Sequence, residues 1–168
     1  MSPPPEHPAD VPRVFHFSED PAIRVFVPHV PRTNPAQAPA VWAIDAEHAP
    51  LYWFPRDCPR VTWWGEGGRH HATERAWEER MRSAVVHRYA FDATPFTPWD
   101  EAEGQWVSRG PVTPLGPPEA LGDLVGRHAA AGIPLAFVDD LWALADRVAA
   151  SAPHFSLVRM ANAASRRG

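Results

Sequence analysis

Residues 121–160, LGDLVGRHAAAGIPLAFVDDLWALADRVAASAPHFSLVRM, decide the fold class. Leu121, Leu124, Val125 and His128 stand at i, i+3, i+4 and i+7, and so do Leu141, Leu144, Ala145 and Val148. That spacing gathers apolar side chains on one side of a helix. Between the two helices, Pro134-Leu-Ala-Phe-Val138 is apolar and too short for a third, so it reads as a strand. His154 to Met160 reads as another. Further toward the N-terminus, Ala84 to Phe91 sets Val86, Arg88 and Ala90 against Val85, His87, Tyr89 and Phe91, the alternation of a strand. Arg60-Val-Thr-Trp-Trp64, ended by Gly65-Glu-Gly-Gly68, and Val41-Trp-Ala-Ile44 are two more, and Arg13-Val-Phe-His-Phe17 is the first. Gly104 to Arg109 and Pro111 to Leu115 are further strand candidates, the second at a sheet edge because of its prolines. Helical spacing is expected over 46–54, with Pro50 confined to the first turn, and over 72–83, with Trp77 and Met81 on one face. Strands and helices in this order indicate an α+β fold, with one globular domain over 13–168.

Composition bounds the rest. A chain of 168 residues suits one domain and can bury about two-thirds of its unfolded surface. Residues 1–12 carry five prolines and no aromatic side chain, the composition of an extended, disordered tail. The proline-punctuated stretch 27–40 is long for a loop and is expected to cover a site. A single cysteine excludes an internal disulfide framework and a Cys-rich zinc site. No stretch approaches the ~18 apolar residues of a membrane-spanning helix, and no signal-peptide pattern opens the chain, so a cytoplasmic, membrane-free setting is expected. The net charge of −4 gives no general attraction to nucleic acid. Local arginine pairs, Arg56 with Arg60 and Arg166 with Arg167, are candidates to hold a phosphate.

Three readings compete for the chemistry. His70-His71-x-x-Glu74 brings two imidazoles near a carboxylate, but no third ligand is specified, so it reads as a polar loop entering a helix and no metal is assigned. Arg56 and Arg60 flank Cys58, a setting that lowers a thiol pKa, though no histidine adjoins it in sequence and a lone cysteine commonly serves as packing. The third reading joins Phe15-His-Phe-Ser18, Val41-Trp-Ala-Ile-Asp45 with Tyr52-Trp53, and Gly104-Gln-Trp-Val-Ser108. His16 and Ser18 are two apart and share one face of a strand, and aromatic neighbours of this kind can sandwich a flat ring. The bland alternative is that the strand aromatics are core and His16 is satisfied by a backbone carbonyl.

These segments resemble the ADP-ribosyltransferase fold. Its first strand carries a His-Gly-Ser/Thr motif, to which His16-Phe17-Ser18 is similar with phenylalanine in place of glycine. In the poly(ADP-ribose) polymerase-like branch a later strand reads Tyr-Phe-Ala-Asp and a following helix supplies a second tyrosine, which Trp42-Ala-Ile-Asp45 and Tyr52-Trp53 resemble. Gln105 falls where that branch has its catalytic glutamate. Nearly the whole chain beyond the tail also looks like an uncharacterised bacterial family. The transferase resemblance implies split antiparallel or mixed sheets with flanking helices, and NAD as cosubstrate without a metal. It implies His16, Tyr52 and Gln105 as catalytic residues, with Ser18, Trp42, Trp53 and Trp106 holding the nucleotide. A neutral Gln105 cannot act as a general base, so a repurposed site is as consistent with the motif as an active one. The alternatives are a non-catalytic ligand- or partner-binding protein on the same fold, and a small-molecule enzyme using His16 and the His-rich segment.

Overall fold

A computed structural model describes residues 12–31 and 34–166. The expected tail falls outside it but for Pro12, and Arg167 lies outside it as well. The chain forms two compact units and passes twice through each: the first takes residues up to Ala49 and His87–Ala120, the second Pro50–Val86 and Leu121 onward. Each unit is organised by its own sheet, and the α+β expectation holds.

Along the chain come β1 (Arg13–Ser18), β2 (Val41–Ile44), β3 (Arg60–Gly65), β4 (Gly68–Glu74), α1 (Glu78–Ser83), β5 (Val86–Asp92), β6 (Thr97–Pro98) and β7 (Gln105–Ser108). They are followed by β8 (Glu119–Leu121), α2 (Leu124–Ala130), β9 (Leu135–Val138), α3 (Leu141–Ser151) and β10 (His154–Val158). The first sheet has the order β6-β7-β2-β1-β5-β8, and the second β10-β3-β4-β9. β9 runs parallel to β4, whereas β3 is antiparallel to both of its neighbours. Among the described residues, no helix is long and apolar enough to cross a membrane.

In the first sheet, alternation assigns one face to Val14, Val41, Ala43, Tyr89 and Phe91, which pack with Phe26, Phe96 and Val112 as a core. Phe26 meets Tyr89 and Phe91 edge-on, each at 5.0 Å between ring centroids. In the second unit, Val61 and Ala72 face α3, which offers Leu141, Ala145 and Val148. The helix starts at Asp140, whose carboxylate accepts the Ala143 N–H at 3.0 Å, the first-turn cap that the spacing requires.

Three sequence expectations give way here. The helix expected over 46–54 is a single 3-10 turn, Ala49–Tyr52, because Pro50 supplies no N–H and Tyr52 is soon followed by Pro55. The helix expected over 72–83 begins only at Glu78, after the 3-10 turn Arg75–Trp77, since Ala72, Thr73 and Glu74 belong to β4. Gly65-Glu-Gly-Gly68 ends β3 as expected and also closes a β3–β4 hairpin, with Gly65 paired to Gly68. Pro111 to Leu115 contributes one bridge, Val112 to Phe26, and no strand.

Gly104 precedes β7 at φ +80°, and a Cβ there would lie 2.5 Å from the buried His48 ring. His48 is fixed by Asp45, whose Oδ1 accepts from both its backbone N–H and its Nδ1, each at 2.8 Å. Gly104→Ala therefore adds left-handed strain to an overlap with a ring that cannot swing aside. A loss of about 2–4 kcal/mol is expected in chemical denaturation; a variant as stable as the parent would show that this turn is free to shift.

Candidate functional site

His16 lies on the core face of the first sheet, edge-on to Phe26 at 4.9 Å, and its Nδ1–H donates to the Trp42 carbonyl at 2.9 Å. This is the carbonyl-satisfied strand histidine that stood as the bland alternative. Ser18 closes a local turn by accepting the Asp20 N–H at 3.1 Å. Directly paired residues of antiparallel strands share a face. Phe15 pairs with Ile44, and Ile44 with Gln105, so Gln105 and Trp42 occupy the face opposite His16. Trp106 pairs with Ala43 on the His16 face and packs on the core. Trp42 stands edge-on to Trp99 at 5.3 Å, with its indole N–H buried and unbonded. Side-chain parity thus turns Trp42 and Gln105 to the sheet face opposite His16, whereas the resemblance implies one shared site. Tyr52 and Trp53 belong to the second unit, where they pack among other residues of that unit.

The second unit holds an arrangement that no single motif announces. On the sheet face opposite α3, β3 presents Arg60 and Thr62, and β4 presents Thr73 and His71 directly across from them. All four are buried, Arg60 at 3% exposure and His71 at 1%. Inner sheet faces are ordinarily apolar, yet this one is a block of one cation, one imidazole and two hydroxyls. The hydroxyls are accounted for: Thr73 donates to the Pro59 carbonyl at 2.6 Å and Thr62 to Ser156 O at 3.4 Å.

Arg60 is less well satisfied. One terminal nitrogen donates to the Cys58 carbonyl at 3.1 Å, and its Nε–H has no partner. Its guanidinium carbon lies 5.1 Å from the Phe54 ring centre and 5.6 Å from that of Tyr52. No carboxylate pairs with it among the described residues. Burial pulls its pKa below the usual guanidinium range; Tyr52 opposes that pull, whereas Arg159 adds a repelling positive charge. The effective penalty for burying one such ion is several kcal/mol, and cation–π contact with two rings returns about 2 kcal/mol. The difference is left for something else to offset.

His71 and His128 meet beside it. His71 Nδ1 lies 2.9 Å from His128 Nε2, and His128 Nδ1 lies 2.7 Å from Leu124 O. The Phe54 ring touches both imidazoles, at 5.6 and 5.2 Å between centroids, as well as the Arg60 guanidinium. Burial, then the neighbouring His128, Arg69, Arg60 and His70, push the His71 pKa down to about 3. Burial lowers His128 as well, against its bond to Leu124. Trp53 stands edge-on to His128 at 5.7 Å and beneath Arg127, whose Nε is also buried without a partner.

Neither the metal nor the thiol motif survives in its sequence form. His71 and Glu74 sit on a strand three residues apart, which puts them on opposite faces, and Glu74 accepts the Ala164 N–H at 2.8 Å. Cys58 is buried and donates to Thr73 Oγ1 at 3.1 Å; burial outweighs the arginines and pushes its thiol up to about 11, so it is not an activated nucleophile. Of the arginine pairs, Arg60 becomes the centre of the polar block, and Arg56 is exposed. Arg166 pairs with Asp146 and covers Trp142. Sequence reasoning missed His71, His128, Thr62 and Thr73 as a set, because only the β3–β4 register and the packing of α2 bring them together.

No curated protein and no solved structure matches the chain. Residues 15–163 match a family of unknown function, DUF6886, and this chain belongs to that family.

Proposed function

We propose that this protein binds a small molecule bearing an oxyanion, held at Arg60 on the polar face of the second sheet. One observation carries the reading: a buried guanidinium with, among the described residues, a free Nε–H and no carboxylate partner. A phosphate or carboxylate accepts charge-assisted bonds from a guanidinium and offsets its burial. Phe54 and Tyr52, already against the guanidinium, supply flat surfaces for the rest of the ligand. The resemblance around His16-Phe17-Ser18 makes nucleotides such as NAD and ADP-ribose the first class to test. Transfer of ADP-ribose is not part of this reading, since Gln105 and His16 stand on opposite faces of their sheet.

Calorimetric titration with NAD, ADP-ribose, adenosine monophosphate and inorganic phosphate tests it. At least one is expected to bind saturably to the wild-type protein and at least tenfold more weakly to Arg60→Met. Binding that Arg60→Met leaves unchanged would move the site elsewhere.

A further inference from the structure

The hydrogen bonds of the buried histidine pair fix both tautomers. A carbonyl oxygen only accepts, so His128 Nδ1 carries the proton donated to Leu124 O. Neutral His128 then has a bare Nε2, which must accept from His71, so His71 carries its proton on Nδ1. The remaining nitrogen, His71 Nε2, is therefore a bare lone pair. It is buried and has no hydrogen-bond partner among the described residues. The carbonyl–His128–His71 chain aims and holds this acceptor as an outer-shell partner orients a ligand group.

His71 and Arg60 share a sheet face as diagonal neighbours, Arg60 facing Thr73 and His71 facing Thr62. Such Cα atoms lie about 7–8 Å apart, within reach of one tetrahedral anion given the length of the arginine side chain. Both side chains also lie against the same Phe54 ring. The block thus offers cationic N–H donors at one end and a proton acceptor at the other. Hydrogen phosphate matches both, as does a phosphate monoester in its monoanionic form, which loses its last proton at about pH 6: unprotonated oxygens accept from Arg60, and the P–OH donates to His71. Sulfate has the same shape and charge but no proton near neutral pH, and a phosphodiester has none on its phosphorus.

Resting on the oxyanion reading above, we propose that Arg60 and His71 Nε2 together form a subsite for a protonated phosphate, that of free hydrogen phosphate or a phosphomonoester, which discriminates against sulfate and against phosphodiesters.

At about pH 6, where a monoester keeps a substantial share of its P–OH and folded His71 is still neutral, titrations of the wild-type protein with phosphate, sulfate, adenosine monophosphate and NAD at constant ionic strength test this. Phosphate is expected to bind at least tenfold more tightly than sulfate, because sulfate would set an oxygen lone pair against a nitrogen lone pair. Adenosine monophosphate is expected to bind more tightly than NAD. In His71→Gln, whose amide can turn to donate, the preference for phosphate over sulfate is expected to fall to within about threefold. Should that variant not fold, imidazole ¹⁵N shifts of the wild-type protein decide, with His71 expected protonated on Nδ1 and bare on Nε2; the opposite tautomer overturns the proposal. Equal binding of phosphate and sulfate, both lost in Arg60→Met, overturns it while leaving the oxyanion reading intact. NAD binding as tightly as the monophosphate would assign the proton donor to a sugar hydroxyl and also overturn it. No binding of any of the four overturns both.

Discussion

Lowering the pH from 7 to 4.5 should remove about 2.5 kcal/mol of folding stability through His71 alone. The unfolded chain takes up a proton on this imidazole near the ordinary histidine pKa of about 6.5. The folded chain resists until about pH 3, because burial and the neighbouring His128 and arginines disfavour the charge. Between those values the unfolded state holds the extra proton, so stability falls as pH falls, by about 1.4 kcal/mol per pH unit. Above about pH 6.5 both states are neutral at this site and the contribution is full. His128 is depressed in the same direction and steepens the decline. For a chain of this size the loss from His71 corresponds to a drop in Tm of about 5–10 °C. Other groups titrate over this range as well, so the informative quantity is the difference between the wild-type protein and His71→Gln. Their stabilities should converge as the solution is acidified. A constant difference between pH 7 and 4.5 would mean that His71 is charged, or exposed, in the folded protein.

Replacing Arg60 by methionine should stabilise the ligand-free protein. Burying one such ion carries an effective penalty of several kcal/mol, which an apolar side chain of similar volume avoids. Here the bond to the Cys58 carbonyl, about 1 kcal/mol, and the cation–π contact with Phe54 and Tyr52, about 2 kcal/mol, are lost with it. A net gain of about 1–2 kcal/mol is expected, seen as a Tm higher by about 2–8 °C. Calorimetry of both proteins in an anion-free buffer measures it. A fall in stability would make Arg60 a structural member of the core and remove the reason to seek a ligand for it. The expected outcome is a residue that costs stability and is kept for binding, the trade-off common at functional sites.

Local pattern was enough to place most elements. Val41–Ile44 and the helix from Leu141 needed only apolar spacing. Strand β4 was hidden because the period of Trp77 and Met81 suggested one long helix, and three glycines suggested a stop where the chain turns a hairpin. Within a strand, parity is legible: His16 and Ser18 share a face by spacing alone. Between strands it depends on register, and the pairing of Phe15 with Ile44 and of Ile44 with Gln105 is set by long-range packing. For the same reason an arginine pair could be picked out as phosphate-binding, with Arg60 among its members, while its context could not. His71 and His128 are separated by 57 residues, and nothing in either neighbourhood names the other.

Whether Arg60 binds an oxyanion is tested most directly by the Tm of the wild-type protein and Arg60→Met against rising inorganic phosphate at constant ionic strength. A ligand that binds only the folded state at a hundred times its Kd contributes about 2.7 kcal/mol, which for this chain is a rise of about 5–10 °C. That saturating rise is expected in the wild-type protein, and a flat response in Arg60→Met, starting from the higher baseline. A flat response in both proteins to phosphate and to the nucleotides, or an equal rise in both, would contradict it.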